Sequence, residues 1–375
     1  MDFNCEKGIG LMSNWHYDKD RVLRGALFGS GQVTNYHMHA WQEIDSVEIV
    51  AVANRTIDKA YKLAEEFKIG RDHVYSSHKM ILEKEHIDFV DIATAPAIHY
   101  DQVIDAINHG KHILCQKPFS TDIASAVDMT NTAKDAGLLL SINENWRWRS
   151  WYRKIKNILE NEMIGNPSYL YIRRHNNATL PTLKGLEPQL AEKQPYTINL
   201  DRLILFEWGI HVVDVTRFLF GEPVSVFADT LKVSQHFKGE DRILLVLSYN
   251  DRHALLDLSW ATISDDEEVS QFEKVEIEGD KGSIRLDPDM DSMLHVKTQD
   301  GEQIIPASSL KESEEYQISY TRTHKDFIES LRSGNLPESY AAENLKTFAL
   351  VFAAYQSADE KRVIEVEEFN QEHLF

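Results

Sequence analysis

Residues 22–34 read VLRGALFGSGQVT, and this stretch decides the architecture of the first part of the chain. Its first half is an apolar run suited to a strand buried on both faces. Gly29-Ser30-Gly31 then turns the chain, and residues 32–43 continue with helical spacing. A strand, a glycine turn and a helix start can hold a pyrophosphate. The first glycine permits the tight turn, the second lets the backbone approach the anion, and the third packs helix on strand. Here the third place is Thr34, so the fingerprint Gly29-x-Gly31-x-x-Thr34 is incomplete. A lone G-x-G carries little weight without its context.

The context extends outward from that turn. VEIVAVAN (47–54) is a second buried strand, IDKAYKLAEEFK (57–68) has helical periodicity, and a strand at 73–75 and a helix at 77–85 follow. DFVDIAT (88–94), HILCQ (112–116) and LLLSIN (138–143) are further apolar runs, separated by helices at 98–109 and 120–136. Strands alternating with helices predict an α/β, doubly wound parallel sheet over residues 22–145, a Rossmann domain. Residues 1–21 are polar and mixed, and read as an extension on the surface.

After about residue 150 the pattern changes. A helix at 151–163 leads to SYLYIRRHN (168–176), and an irregular stretch at 177–200 contains Pro181, Pro188 and Pro195. A helix at 203–220 is followed by strand-like segments at 224–234, 242–250, 253–261, 272–279, 282–287 and 293–298. Helices return at 317–333 and 340–358. Residues 146–375 are therefore expected to form a second α/β domain with a large open, mainly antiparallel sheet.

Composition narrows the partners. Forty basic and 60 acidic residues leave a formal net charge of −20 over 375 residues. Such a chain repels phosphate backbones, so nucleic acid is not an expected partner. No apolar run reaches the roughly 18 residues of a membrane helix, and the N-terminus lacks the basic start and apolar stretch of a signal peptide. Two cysteines, Cys5 and Cys115, without a Cys-x-x-Cys pair fit a reducing, cytoplasmic compartment.

Three groups of residues carry candidate chemistry. The second strand ends at Asn54-Arg55, where an acidic residue would bond the ribose 2′-OH of NAD and an arginine accommodates the 2′-phosphate of NADP. The neutral Asn54 beside Arg55 gives a slight lean to NADP over NAD. Lys117 stands at the carboxyl end of HILCQ, where ligands of open α/β sheets gather. Pro118 after it favours a cis bond more than other residues do. Glu207, His211 and Asp214, spaced four and three apart, share one helical face. A carboxylate one turn from a histidine suits acid–base work on a hydroxyl. The same face could bind a divalent metal, but no His-x-x-x-His or second clustered pair supports it, so no metal is expected. Gly209 mid-helix points to a close approach by backbone or ligand.

Taken together, ALFGSGQVTNYH, EIVAVANRTIDKA, DIATAPAIH, GKHILCQKPFS, WGIHVVDVTRFLFG, GDKGSIRL and the ending AAENLKTFALVFAAYQSADEKRVIEV resemble the Gfo/Idh/MocA oxidoreductases, from about Leu23 to Val366. The resemblance implies a dehydrogenase that moves a hydride between a sugar or polyol hydroxyl carbon and NAD or NADP. It also implies a homodimer or homotetramer formed through the C-terminal sheet. By this resemblance Lys117 and His211 are the catalytic pair. The family's E-K-P motif falls on Gln116-Lys117-Pro118, and its D-x-x-x-H pair on Glu207 and His211. The cofactor site is expected to draw on Gly29, Ser30, Gly31, Gln32, Val33, Asn54, Arg55, Thr94, Pro96, His99, Gln116 and Lys117. SINENWRWRSWYRKIKN is similar to a branch containing D-apiose dehydrogenases, and Glu144, Asn145, Trp146 and Arg147 within it, with Glu207 and Asp214, are the expected sugar contacts. Two other readings stay open: a glycoside-cleaving enzyme of this fold that oxidises transiently, and a non-catalytic nucleotide or sugar sensor.

Overall fold

The computed structural model describes residues 15–182, 185–263, 273–287 and 293–374. Cys5 and the first part of the expected extension lie outside them. The chain divides into two compact units. One comprises the chain up to Glu144 together with Tyr320–Leu345, and the other comprises Asn145–Ser319 with Lys346–Phe375.

The first unit holds strands β1 (Leu23–Phe28), β2 (Val47–Ala53), β3 (Val74–Tyr75), β4 (Phe89–Ile92), β5 (His112–Gln116) and β6 (Leu140–Asn143). They form one parallel sheet in the order β3-β2-β1-β4-β5-β6, the doubly wound order of a Rossmann fold. Between them run α1 (Thr34–Gln42), α2 (Ile57–Glu66), α3 (His78–Lys84), α4 (His99–Asn108) and α5 (Ile123–Asp135). Every residue of β4 and β5 is buried, which explains their near-continuous apolar character. Gly25 is required by packing: a Cβ there would stand 2.3 Å from the Phe89 ring. Phe89 in turn touches the rings of Trp41 and Phe327, and this trio sits in the unit's apolar cluster.

The end of the expected N-terminal extension is more than a surface strand of polar residues. Trp15 and Tyr17 pack on the apolar cluster and meet His112 edge-on, with ring centroids 5.4 and 5.7 Å away. Arg332 bonds the carbonyls of Asp18 and Arg21. Two aromatic residues in a polar stretch were the available sign.

The second unit contains α6 (Ser150–Glu160), β7 (Pro167–His175), α7 (Gln189–Lys193), α8 (Ile210–Phe220), β8 (Ser225–Leu231), β9 (Arg242–Ser248), β10 (His253–Ser259), β11 (Lys274–Gly279), β12 (Gly282–Leu286), β13 (Met293–Thr298) and β14 (Gly301–Pro306). The long helices α9 (Glu312–Ser333) and α10 (Ala341–Glu360), then β15 (Ile364–Glu365) and α11 (Val366–His373), complete the chain. Among the described residues its sheet has nine strands, ordered β14-β13-β12-β11-β7-β10-β9-β8-β15. All described neighbours are antiparallel except β7 and β10. β14 and β15 were not expected from the sequence: GEQIIP is mostly exposed, and Ile364–Glu365 is too short to show a period. Alternate residues of β9 are buried, while Leu244 and Val246 face outward and are exposed. Only Phe218 of α8 escapes full burial, so that helix is core rather than surface.

His112 yields a stability test. Its Nδ1 accepts the Leu139 N–H at 3.0 Å, and burial pulls its pKa down to about 4. Below pH 6.5 the unfolded chain takes up a proton that the folded chain refuses. Stability present at pH 7 is thus lost as pH falls from about 6.5 to about 4, by about 3 kcal/mol from this group. Urea unfolding at pH 7 and pH 5 should show the loss, and His112→Gln should reduce its slope.

Candidate active site

The sheet register brings Phe28, Ala53, Ile92, Gln116 and Asn143 to one edge, the carboxyl ends of the parallel strands. The glycine turn leaves β1 there. Gly29 has φ +112°, a conformation that favours glycine, and a Cβ on it would lie 2.3 Å from the Ala93 carbonyl oxygen. A Cβ on Gly31 would meet nothing within 4 Å. Thr34, in the place of the third glycine, donates its hydroxyl to the Gly31 carbonyl at 2.6 Å and is buried. Val33 caps α1 without a side-chain acceptor, and the Thr34 and Tyr36 N–H groups of the first turn bond the Gly31 and Val33 carbonyls at 3.3 and 3.0 Å. The Ser30 hydroxyl is buried with no hydrogen-bond partner among the described residues. An open backbone approach at Gly31 and a buried hydroxyl at Ser30, beside the start of a helix, fit a dinucleotide pyrophosphate.

At the end of β2, Asn54 donates its amide to the Thr56 carbonyl at 2.9 Å, and Arg55 is exposed. Beyond β4, Thr94 donates its hydroxyl to Gln102 at 2.7 Å. Pro96 opens a short 3-10 turn. His99 is fully buried, with Nε2 3.0 Å from the Thr94 carbonyl and Nδ1 3.1 Å from that of Pro118. Burial lowers its pKa, and the Lys117 charge adds to the effect against the carbonyls. The sequence placed His99 at the cofactor; the structure gives it the task of tying two loops together. Lys117 is half-buried, and the Lys117–Pro118 bond is cis. Its backbone N–H donates to Gln116 Oε1 at 2.7 Å.

Behind Gln116 lies a polar cluster that the sequence reading missed. Asp91, His37 and His324 are each fully buried, and their possible ligand atoms lie within 4.8 Å of one another. Asn143 and Tyr320 adjoin them through His37 and Gln116. The available signal was Asp91 itself, a carboxylate inside a strand that is otherwise apolar.

In the second unit, His211 lies flat against Trp146, with centroids 4.8 Å apart and an interplanar angle of 5°. The Arg149 guanidinium stands 4.0 Å from the Trp146 centroid, and Arg174 stands 4.7 Å from that of Trp208. Arg174 pairs with the buried Glu273 at 2.9 Å, and Tyr152 donates to the same carboxylate at 2.8 Å. Buried cations on aromatic faces strengthen such a stack. Burial and the neighbouring Glu207 carboxylate raise the Tyr196 hydroxyl above its ordinary pKa, and Tyr196 donates to Glu207 Oε2 at 3.3 Å. The helix expected at 203–220 carries a π turn at Leu205–Gly209, so Glu207 and His211 are not joined by a regular α-helical turn. The close approach at Gly209 is the protein's own: Leu205 and Leu258 methyls stand 3.0 and 3.1 Å from a Cβ there.

Two of the expected sugar contacts have partners within the chain. Arg147 and Asp214 form a buried two-pronged ion pair at 2.8 and 2.5 Å, and Thr347 donates to Asp214 at 2.9 Å. Their charges are spent on each other. Asn145 is likewise buried and donates to Ser319 at 2.7 Å, while Glu144 is fully buried. Asp214→Ala should therefore cost about 3–5 kcal/mol by removing the carboxylate that answers the buried Arg147 charge. Replacing both, Arg147→Met with Asp214→Leu, should cost less; urea unfolding compares them.

Residues 23–144 match the profile of the "Oxidoreductase family, NAD-binding Rossmann fold", and residues 199–366 match "Oxidoreductase family, C-terminal alpha/beta domain", the two Gfo/Idh/MocA profiles. A D-apiose dehydrogenase of Paraburkholderia graminis is 32% identical over 93% of this chain and 91% of its own. A second, from Rhizobium rhizogenes, is 31% identical over 92% and 97%. The crystal structure of an oxidoreductase from Agrobacterium radiobacter in complex with NAD+, L-tartaric acid and magnesium superimposes with a TM-score of 0.85. It is 30% identical and covers 92% of this chain and 99% of that one.

Proposed function

Since this chain belongs to the Gfo/Idh/MocA oxidoreductases, we propose that it is an NAD(P)-dependent dehydrogenase of a sugar or polyol. The full-length likeness to D-apiose dehydrogenases carries the reading, because it spans more than nine-tenths of the chain. The more distant likeness to a myo-inositol 2-dehydrogenase of Thermotoga maritima, 25% identical over 92% of the chain, supports the broader substrate class of polyhydroxylated rings. We assign the dinucleotide to the first unit, and substrate and subunit contacts to the second.

When bound, the nicotinamide supplies the hydride acceptor or donor. Gly29, whose N–H donates to the Ala53 carbonyl at 2.8 Å, makes the turn, and Ser30, Gly31, Gln32 and Val33 would hold the pyrophosphate through backbone N–H groups and the Ser30 hydroxyl. Lys117, a cation at the carboxyl end of β5, polarises the reacting oxygen. His211, its ring held in one plane by Trp146, takes the hydroxyl proton during oxidation and returns it during reduction. Glu207 and Tyr196 form a second hydrogen-bonding pair for sugar hydroxyls.

The expected test is a panel of D-apiose, other aldoses, inositols and glycosides, read by reduced-cofactor absorbance. At least one free sugar or polyol should be oxidised with net NAD(P)H production; turnover of glycosides alone, without it, would favour the glycoside-cleaving reading. Lys117→Ala should lower kcat about 10²–10⁴-fold, with NADH binding by fluorescence little changed.

The exposed Arg55 beside a neutral Asn54 supports the slight preference for NADP. Arg55→Ala should lower kcat/KM for NADP⁺ about tenfold or more, the worth of a charge-assisted hydrogen bond, and leave NAD⁺ nearly unchanged. Equal losses for both cofactors would remove the preference.

On the outer face of the second sheet, the register aligns Phe227, Val246, Leu255 and Tyr171 in one row across four strands. Phe227 and Val246 are exposed, as is the neighbouring Leu244. A contiguous apolar row of this kind supports a self-complementary subunit interface, in a dimer or tetramer. No helix among the described residues is long and apolar enough to cross a membrane. The acidic balance and the free, buried Cys115 support a cytoplasmic location.

A further inference from the structure

The buried cluster behind Gln116 is built from five elements of the first unit. Asp91 comes from β4, His37 and Trp41 from α1, Gln116 and Asn143 from the ends of β5 and β6, and Tyr320 and His324 from α9. A carboxylate fully out of water needs donors. Trp41 Nε1 donates to Asp91 Oδ2 at 2.7 Å, and His37 Nδ1 lies 2.9 and 3.0 Å from the two carboxylate oxygens. His324 Nε2 stands 3.6 Å from Oδ2. Burial alone would raise the Asp91 carboxyl, yet the two imidazoles beside it hold it well below the usual carboxylate range.

The opposite nitrogen of His37 decides its tautomer. Gln116 Nε2 and Asn143 Nδ2 each lie 3.2 Å from His37 Nε2. Gln116 cannot be turned over without loss, because its Oε1 accepts the Lys117 backbone N–H at 2.7 Å. Its amide NH₂ therefore faces the imidazole, and His37 Nε2 must accept. The ring hydrogen then sits on Nδ1 and is donated to Asp91. A metal ion held by His37, Asp91 and His324 would need a lone pair on that same Nδ1. It would push the hydrogen to Nε2, against the Gln116 amide. The geometry thus favours a hydrogen-bonded chain over a metal centre.

We propose that His37 is a positioning residue for Lys117: Asp91 fixes its tautomer, its Nε2 holds the Gln116 amide, and Gln116 holds the Lys117 backbone. This rests on the reading of Lys117 as catalytic. The chain runs Asp91, His37, Gln116, Lys117 through single hydrogen bonds, each between buried or half-buried groups. It places the lysine from behind, where no part of the substrate need touch. A catalytic group misplaced by about 1 Å loses about 10²-fold in rate, so the effect belongs to kcat and not to cofactor affinity.

Gln116→Ala breaks the chain at its third link. It should lower kcat about 10- to 100-fold for the sugar oxidised fastest in the panel above. Both ends of the Gln116 amide are engaged within the chain and not aimed at the cofactor, so NADH binding should stay within about threefold. Gln116→Glu should recover most of the lost kcat. A glutamate still accepts the Lys117 N–H, and its second oxygen can take a hydrogen from His37 Nε2 once that ring is doubly protonated. Neutron diffraction from crystals of the deuterium-exchanged wild-type protein reads the tautomer without any variant. Deuterium on His37 Nδ1 and none on Nε2 is expected. Deuterium on Nε2 alone, or a metal atom among His37, Asp91 and His324, overturns the proposal. So does wild-type kcat in Gln116→Ala beside an inactive Lys117→Ala. Should Lys117→Ala itself keep wild-type turnover, the catalytic reading of Lys117 fails, and the proposal falls with it.

Discussion

A charge buried away from water must be answered by donors or by an opposite charge, and both units are organised around that requirement. Asp91 is answered by Trp41 and His37. Asp214 is answered by Arg147 and Thr347, and Glu273 by Arg174 and Tyr152. Removing one partner of such a pair costs about 3–5 kcal/mol, against a total stability of about 5–15 kcal/mol for an ordinary domain. Each pair therefore has the weight to choose one arrangement of the segments it joins. Asp91 joins β4 to α1, and through His37 to the ends of β5 and β6. Asp214 joins α8 to the turn after β6 and to α10.

The site inherits its order from these ties. Parallel strands end together, so the glycine turn, Asn54 and Lys117 leave one edge of one sheet. His99 adds a second tie there, bonding carbonyls from the segments that follow β4 and β5. In the second unit the same task falls to an aromatic slab. Trp146 packs against both the His211 ring and the Arg149 guanidinium, and Arg149 lies 3.9 Å from Glu273. A histidine stacked flat on a ring that is itself packed against a cation has little rotational freedom. Precision of this kind is what acid–base chemistry on a hydroxyl requires.

Much of the fold was legible because parallel strands buried on both faces must be apolar. VEIVAVAN and HILCQ read as strands for that reason, and the sheet they form is the expected parallel, doubly wound one. The place of Lys117 just past the carboxyl end of β5 was legible because the strand before it is an unbroken buried run. The π turn was not, since one extra residue per turn leaves no mark on a short apolar helix. The pairing of Arg147 with Asp214 was not legible, because charged residues near a predicted site look alike whether they meet a ligand or each other. Their pairing spans 67 positions, and no local pattern records it. Asp91, inside a buried strand, broke the apolar rule openly; its partners His37 and His324, 54 positions before it and far along the chain after it, could not be named without the fold.

The account stands or falls on whether this chain moves a hydride between a polyhydroxylated carbon and nicotinamide. Deuterium labelling measures that directly. The protein is incubated with NAD⁺ or NADP⁺ and sugars or polyols deuterated at their hydroxyl-bearing carbons, and the cofactor is analysed by mass spectrometry. The account predicts reduced cofactor one mass unit heavier, with the label on nicotinamide C4. Unlabelled cofactor with every substrate, in protein that binds NADH, would contradict it.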